Sequence, residues 1–145
     1  MTGLRLTVHE LPLLPTPCLP ADATIGAVAE ALVRERVPAL LLGNGEAIVS
    51  EHDIVRAVAR GRAVSEPALV IATPDPIAVA HDAPVLEAVE LMLRHGLRAV
   101  VVVDGGPRPL GMLTLVRAVE ALLAIEEMPA WLSGLRIALR VEMDR

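Results

Sequence analysis

The chain has 145 residues, 54% of them apolar, with Trp131 as its single aromatic side chain; this fits one domain of ordinary size with an aliphatic core and excludes ring stacking as a general means of recognition. Its net charge is −5 and its 13 basic residues are all arginines spread along the chain, so the basic face that nucleic-acid binding requires is missing. Cys18 is the only cysteine and no run of about 18 apolar residues occurs. An intrachain disulfide, a cysteine-rich metal site, a signal peptide and a membrane span are therefore not expected, and a reducing cytoplasm suits the chain.

In chain order, residues 1–12 alternate Leu4, Leu6 and Val8, which predicts a half-buried strand extension. A helix over 24–36, a buried strand over 39–42, a glycine turn, a strand over 47–49 and a helix over 51–59 follow. Residues 62–72 read as a linker. A lead-in strand at 77–79 precedes a helix started by Asp82 with Pro84 just inside it and running to His95. Strands over 99–103 and 111–113 then flank the turn "DGGPRP", and a helix over 115–124 closes the pattern. The tail, 126–145, carries Met128, Trp131 and Leu132 as an anchor and alternates Leu135, Ile137, Leu139 and Val141 as a second terminal strand. The two terminal strands are expected to pair, with each other or across a dimer, because a bare edge invites aggregation.

The sequence repeats itself. An offset of 60 lays residues 22–42 over 82–102 with five identities (Asp22/Asp82, Ala23/Ala83, Glu30/Glu90, Arg34/Arg94, Ala39/Ala99), and an offset of 64 then lays 47–58 over 111–122. The succession strand, helix, strand, strand, helix, the lead-in "TPDPIAV", and "AIVSEHDIVRAV" resemble a tandem pair of cystathionine-β-synthase (CBS) repeats, a Bateman-type module, over roughly residues 13–124. The resemblance implies an α+β fold of two βαββα-like repeats, 13–61 and 73–125, packed through their sheets into one compact module with extra terminal strands. It also implies dimerisation into a disc and adenosine-containing ligands in clefts between the repeats. The tail "GLRIALRVEMDR" also looks like the first strand of an ACT-type domain, for which the chain is too short.

Ser50 and Asp53 support two readings. Ser50 follows a strand and opens a helix, so its hydroxyl can cap the first turn, with Asp53 at the third helical position completing the cap and matching the helix dipole. The same turn can hold an anion on its amides and a ribose on its carboxylate, and the family resemblance implies phosphate at Ser50 and ribose at Asp53. In the second repeat Thr114 keeps the hydroxyl, but Arg117 stands where Asp53 stands in the first. Arg117 is either an exposed cation of little consequence or a phosphate ligand. Arg98, at the entrance to its strand where the first repeat has Pro38, is a further phosphate candidate in the cleft the family implies, with a snorkelling surface arginine as its plainer reading.

His52 adjoins Asp53 and His81 adjoins Asp82, but neighbours on a helix point about 100° apart and form no chelate. His52 stays a peripheral ligand-binding candidate, and Cys18 reads as buried and inert. No catalytic motif occurs. The expectation is a non-enzymatic regulatory module that requires no cofactor and binds AMP, ADP, ATP or S-adenosylmethionine, acts as a homodimer and regulates a protein partner. The competing readings are a structural interaction or dimerisation module without a nucleotide, and metal or redox sensing through Cys18 and His52.

Overall fold

Helix-spaced apolar residues followed by aliphatic runs too short for a helix produce the same succession twice. A computed structural model describes residues 6–123. Contacts divide them into two compact units: Pro15–Ile77, and residues 6–14 joined to 78–123. The α+β class holds, with two sheets and four helices among the described residues.

In the unit Pro15–Ile77, β1 (Cys18–Leu19), β2 (Ala39–Leu42), β3 (Ala47–Ser50) and β4 (Thr73–Pro74) form one sheet in that order, β1 parallel to β2 and the rest antiparallel. Helix α1 (Ile25–Glu35) buries Ile25, Val28, Ala31 and Leu32, one stripe at helical spacing, and Thr24 caps it by accepting the Ala27 amide. It ends at Arg36 in the left-handed conformation, φ 55°. Strand β2 is buried throughout, β3 alternates, and α2 (Glu51–Ala59) follows β3 without a break.

The other unit holds β5 (Ala78–Ala80), α3 (Val85–His95), β6 (Ala99–Val103), β7 (Gly111–Thr114) and α4 (Leu115–Leu122), with sheet order β5-β6-β7. Its core is again aliphatic: Val85, Ala88, Met92, Val100, Val102, Met112, Leu113 and Ala118. The repeat alignment is repeated in the strand register, Ala39 facing Ser50 in one sheet and Ala99 facing Thr114 in the other. Pro84 is the cap of α3 rather than its first residue, and Gly96 ends that helix in the left-handed conformation where Arg36 ends α1.

The leading segments depart from the sequence pattern. The alternation through Val8 predicts a strand, but Val8–Glu10 form a single 3-10 turn held by Thr7 and Glu10, and Val8 is buried. Backbone bonds decide this: Val8 N–H reaches Ala83 O and Val85 N–H reaches Leu6 O, which supplies α3 with the cap its side chains lack. Residues 62–72 likewise do not hang free as a linker. Ala68–Val70 form a matching 3-10 turn, the Ile25 and Gly26 amides reach Glu66 O and Val64 O, and Ala68 N–H reaches Ala23 O. Leu14 exchanges two backbone bonds with Met112 at the free edge of β7, as β4 pairs with β3.

Cys18 is exposed, not buried, because β1 is a two-residue strand with only Leu19 turned partly inward; its thiol faces Gly43 O. The second terminal strand, Trp131 and the ACT-like tail lie outside the described residues.

Candidate functional site

The site begins where β3 turns into α2. Ser50 keeps an extended backbone (φ −105°, ψ 165°) and its hydroxyl accepts the Asp53 amide at 3.2 Å. Asp53 returns the contact: its Oδ2 accepts the Ser50 amide and the Ser50 hydroxyl, each at 2.9 Å. This reciprocal capping box satisfies end groups of the helix and fixes the carboxylate in one rotamer. The Asp53 side chain is 12% exposed, and its Oδ1 faces Arg56 Nη1 at 3.8 Å, beyond hydrogen-bonding range. One carboxylate oxygen is therefore doubly engaged, and the other makes no hydrogen bond among the described residues.

Pro38, at the entrance to β2, accepts the Glu51 amide at 2.9 Å, so the structure brings Pro38, Ser50 and Asp53 together. His52 is exposed on the next helical position. In the other unit the same framework recurs: Leu115 N–H reaches Arg98 O at 2.7 Å, and Arg117 N–H reaches Thr114 Oγ1 at 3.2 Å. Thr114 is buried, Arg117 half-buried and Arg98 exposed. Arg98, Thr114 and Arg117 thus form a second cluster with a cation in place of the carboxylate.

Asp53 opens onto a concavity of about 190 Å³ contained in the unit Pro15–Ile77. One wall is a face of α2, with Asp53, Arg56, Ala57 and Arg60, continued by Arg62; the other runs from Val70 through Ile71 and Ala72 to Thr73. Arg62 is held by Glu66 at 3.1 Å. The Glu66 carboxyl lies below the usual carboxylate range because it accepts the Ala63 amide and then the Arg62 guanidinium. The three arginines went unnoticed in the sequence, although Asp53, Arg56 and Arg60 stand at i, i+3 and i+7 and so share one helix face.

Among the described residues no group of three or more metal-ligating side chains comes together, and no helix is long and apolar enough to cross a membrane. The concavity offers a carboxylate acceptor, guanidinium donors and an aliphatic wall. Such a set can accept hydrogen bonds from hydroxyls and donate them to an anion.

The CBS-domain family model matches residues 64–124. A search of curated proteins finds no match. Among solved structures, a CBS domain protein from Pyrobaculum aerophilum complexed with AMP is 37% identical, with 83% of this chain and 97% of that one covered and a TM-score of 0.71. The CBS domain pair of protein MJ0100, in complex with 5-methylthioadenosine and S-adenosyl-L-methionine, is 21% identical, with 84% and 98% covered and a TM-score of 0.73. A CBS-domain-containing protein from Agrobacterium tumefaciens is 21% identical, with 80% and 98% covered and a TM-score of 0.69.

Proposed function

The chain belongs to the family of CBS-domain proteins, and from that premise we propose that it is a regulatory module that senses an adenosine-containing nucleotide. The observation that carries this reading is the Asp53 carboxylate, locked by Ser50 at the concavity with one oxygen making no hydrogen bond among the described residues. A ribose presents two neighbouring hydroxyl donors, and a fixed carboxylate oxygen is a matching acceptor. Ser50 acts by holding Asp53, and His52 lies at the rim of the same turn. The AMP complex of the Pyrobaculum aerophilum protein supports the ligand class. The second cluster, Thr114, Arg117 and Arg98, has no ribose acceptor and is assigned an anion, with Arg117 as its donor.

The role is regulation, without catalysis and without a required cofactor: binding biases one arrangement of the module over another by its differential affinity, and a protein partner reads the result. The exposed, lone Cys18 suits a reducing compartment, and the module is placed in the cytoplasm on that ground. A homodimer fits the outer helix faces of the unit Pro15–Ile77, where Val33, Val55 and Val58 are 77%, 64% and 66% exposed. Calorimetric titration of AMP, ADP, ATP and S-adenosylmethionine into the wild type and a folded Asp53→Ala variant tests the reading. Saturable binding that weakens tenfold or more in the variant, ~1.4 kcal/mol, is expected; equal affinity in both proteins removes Asp53 from the site.

A further inference from the structure

Two of the chain's four histidines stand side by side although 72 residues separate them. His9 lies in the leading turn Val8–Glu10 and His81 directly follows β5, both in the same compact unit. Backbone bonds bring them there: the His9 amide donates to His81 O at 2.8 Å, the Val8 amide to Ala83 O at 2.9 Å, and the His81 amide to Val103 O at 2.9 Å. His9 is exposed and His81 half-buried. Their ring centres are 5.7 Å apart and the ring planes are tilted by 57°.

The hydrogen bonds settle which nitrogen of His9 is free. Its Nδ1 lies 3.1 Å from His81 O, and a carbonyl only accepts, so Nδ1 carries the proton. The Thr7 hydroxyl agrees with this: it donates its one proton to Glu10 Oε2 at 3.0 Å and turns lone pairs to Nδ1 at 3.1 Å. In the neutral ring Nε2 is then left with a lone pair, and Thr7 Oγ1, 3.5 Å away, has no further proton to give it. The His81 ring makes no hydrogen bond among the described residues. An imidazole whose inner N–H is held by a backbone carbonyl is oriented as metal-binding histidines are.

Two imidazoles that share one metal ion through bonds of about 2.0–2.1 Å have their ring centres roughly 5–6 Å apart, and His9 and His81 meet that separation. We propose that His9 and His81 form a two-imidazole site for a borderline divalent metal, Zn²⁺, Ni²⁺ or Cu²⁺, with water completing the coordination. His9 offers Nε2, and His81, with neither ring nitrogen held, turns about its broad χ2 torsion to aim one at the ion. Imidazole nitrogens suit these metals, whereas Mg²⁺ and Ca²⁺ demand oxygen. No third metal-ligating side chain joins the pair among the described residues, so the ion is exchangeable. Bound there, it staples the leading turn to the end of β5. Leu6 O, just before that turn, caps α3 through the Val85 amide, so the ion also steadies the cap. The site shares no residue with that of Asp53 and stands or falls independently of nucleotide sensing.

The test is calorimetric titration of Zn²⁺, Ni²⁺, Cu²⁺ and Mg²⁺ into the whole chain, free of any affinity tag and stripped with a chelator, with melting curves recorded alongside. The expected result is one ion per chain, Cu²⁺ the tightest and Mg²⁺ silent, and a melting temperature that rises with the concentration of Zn²⁺ because the ion binds the folded state. Zn²⁺ affinity should fall at least tenfold in His9→Ala and in His81→Ala, and stay within twofold in His95→Ala and Cys18→Ala. His9 is exposed, so its variant should keep its fold, which circular dichroism checks; if His81→Ala misfolds, His9→Ala decides alone. Zn²⁺ affinity unchanged in His9→Ala would overturn the site, as would affinity lost in Cys18→Ala, which would move the metal to the thiol. A wild type that binds none of Zn²⁺, Ni²⁺ and Cu²⁺ would reduce the pair to a contact between tilted rings.

Discussion

At the start of α2 the Asp53 carboxylate takes both donors of Ser50, while at the start of α4 Arg117 returns nothing to Thr114 beyond its own amide. The two turns share strand register, hydroxyl cap and the carbonyl of the strand-entrance residue, Pro38 in one and Arg98 in the other. They differ in the sign of one side chain. A duplicated framework has thus kept its scaffold and changed its chemistry, since capping needs only the hydroxyl and the side chain three residues on is free to change. The units differ in a second place, where β3 begins with Ala47 and β7 with Gly111.

That second difference offers the largest perturbation. A Cβ on Gly111 would lie 2.7 Å from Leu14 O and 2.8 Å from Leu13 Cβ, too close for either to remain in place. Gly111→Ala should cost about 1–3 kcal/mol by overpacking, read from urea denaturation; an unchanged midpoint would show that Leu13 and Leu14 do not close on β7 in solution. Next comes Asp53→Ala, which besides the loss of affinity already described should cost about 1 kcal/mol of stability through the broken capping box. If affinity falls without any loss of stability, the box is not closed in the free protein.

Smaller effects sharpen the comparison. Arg36 adopts the left-handed conformation where the other unit has Gly96, so Arg36→Gly should stabilise by about 1 kcal/mol, and a neutral or destabilising result would mean that α1 ends differently. Arg117→Asp would replace a cation in the first turn with the carboxylate that Asp53 supplies in α2, and should stabilise by about 0.5 kcal/mol. Thermal melts at low salt would show it, and a loss of stability would reveal a favourable role for the arginine.

The smallest signal is an acid limb. Glu66 is held below the usual carboxylate range by the Ala63 amide and then Arg62, and Glu10 in the other unit by the Thr7 amide and then its hydroxyl. A lowered folded-state value means that each contributes stability present above its unfolded-state value and lost as pH falls through the folded one. Glu66→Gln should therefore shallow the decline in stability as pH falls below the ordinary carboxylate range, and Glu66→Gln/Glu10→Gln should shallow it further. A decline of the same steepness in the double variant would assign it to other groups.

The helices and paired strands were legible because burial writes itself into side-chain spacing, as in the stripe Ile25, Val28, Leu32 and the run of β2. The alignment of Ala39 with Ala99 and Ser50 with Thr114 even anticipated the register. Illegible were the turns Val8–Glu10 and Ala68–Val70, which are held by backbone bonds from Val8 to Ala83 and from Ala68 to Ala23 that no side-chain pattern announces. The capping box was visible from Ser50 and Asp53 alone. Its opening onto Arg56, Arg60 and Arg62 depended on the segment Val70–Thr73 forming the facing wall, which no spacing within α2 announces.

The crossing of the leading segments has a consequence for how this chain can be divided. Residues 6–14 serve the unit that begins again at residue 78, and residues 64–74 serve the unit that begins at residue 15. A fragment cut at the limits of a sequence repeat would uncap α1 or α3 and bare one edge of a sheet. The unit Pro15–Ile77 is one uninterrupted stretch with its own caps, while the other unit must draw on chain from both sides of it, so the two halves of one domain are joined only through the whole length of the other.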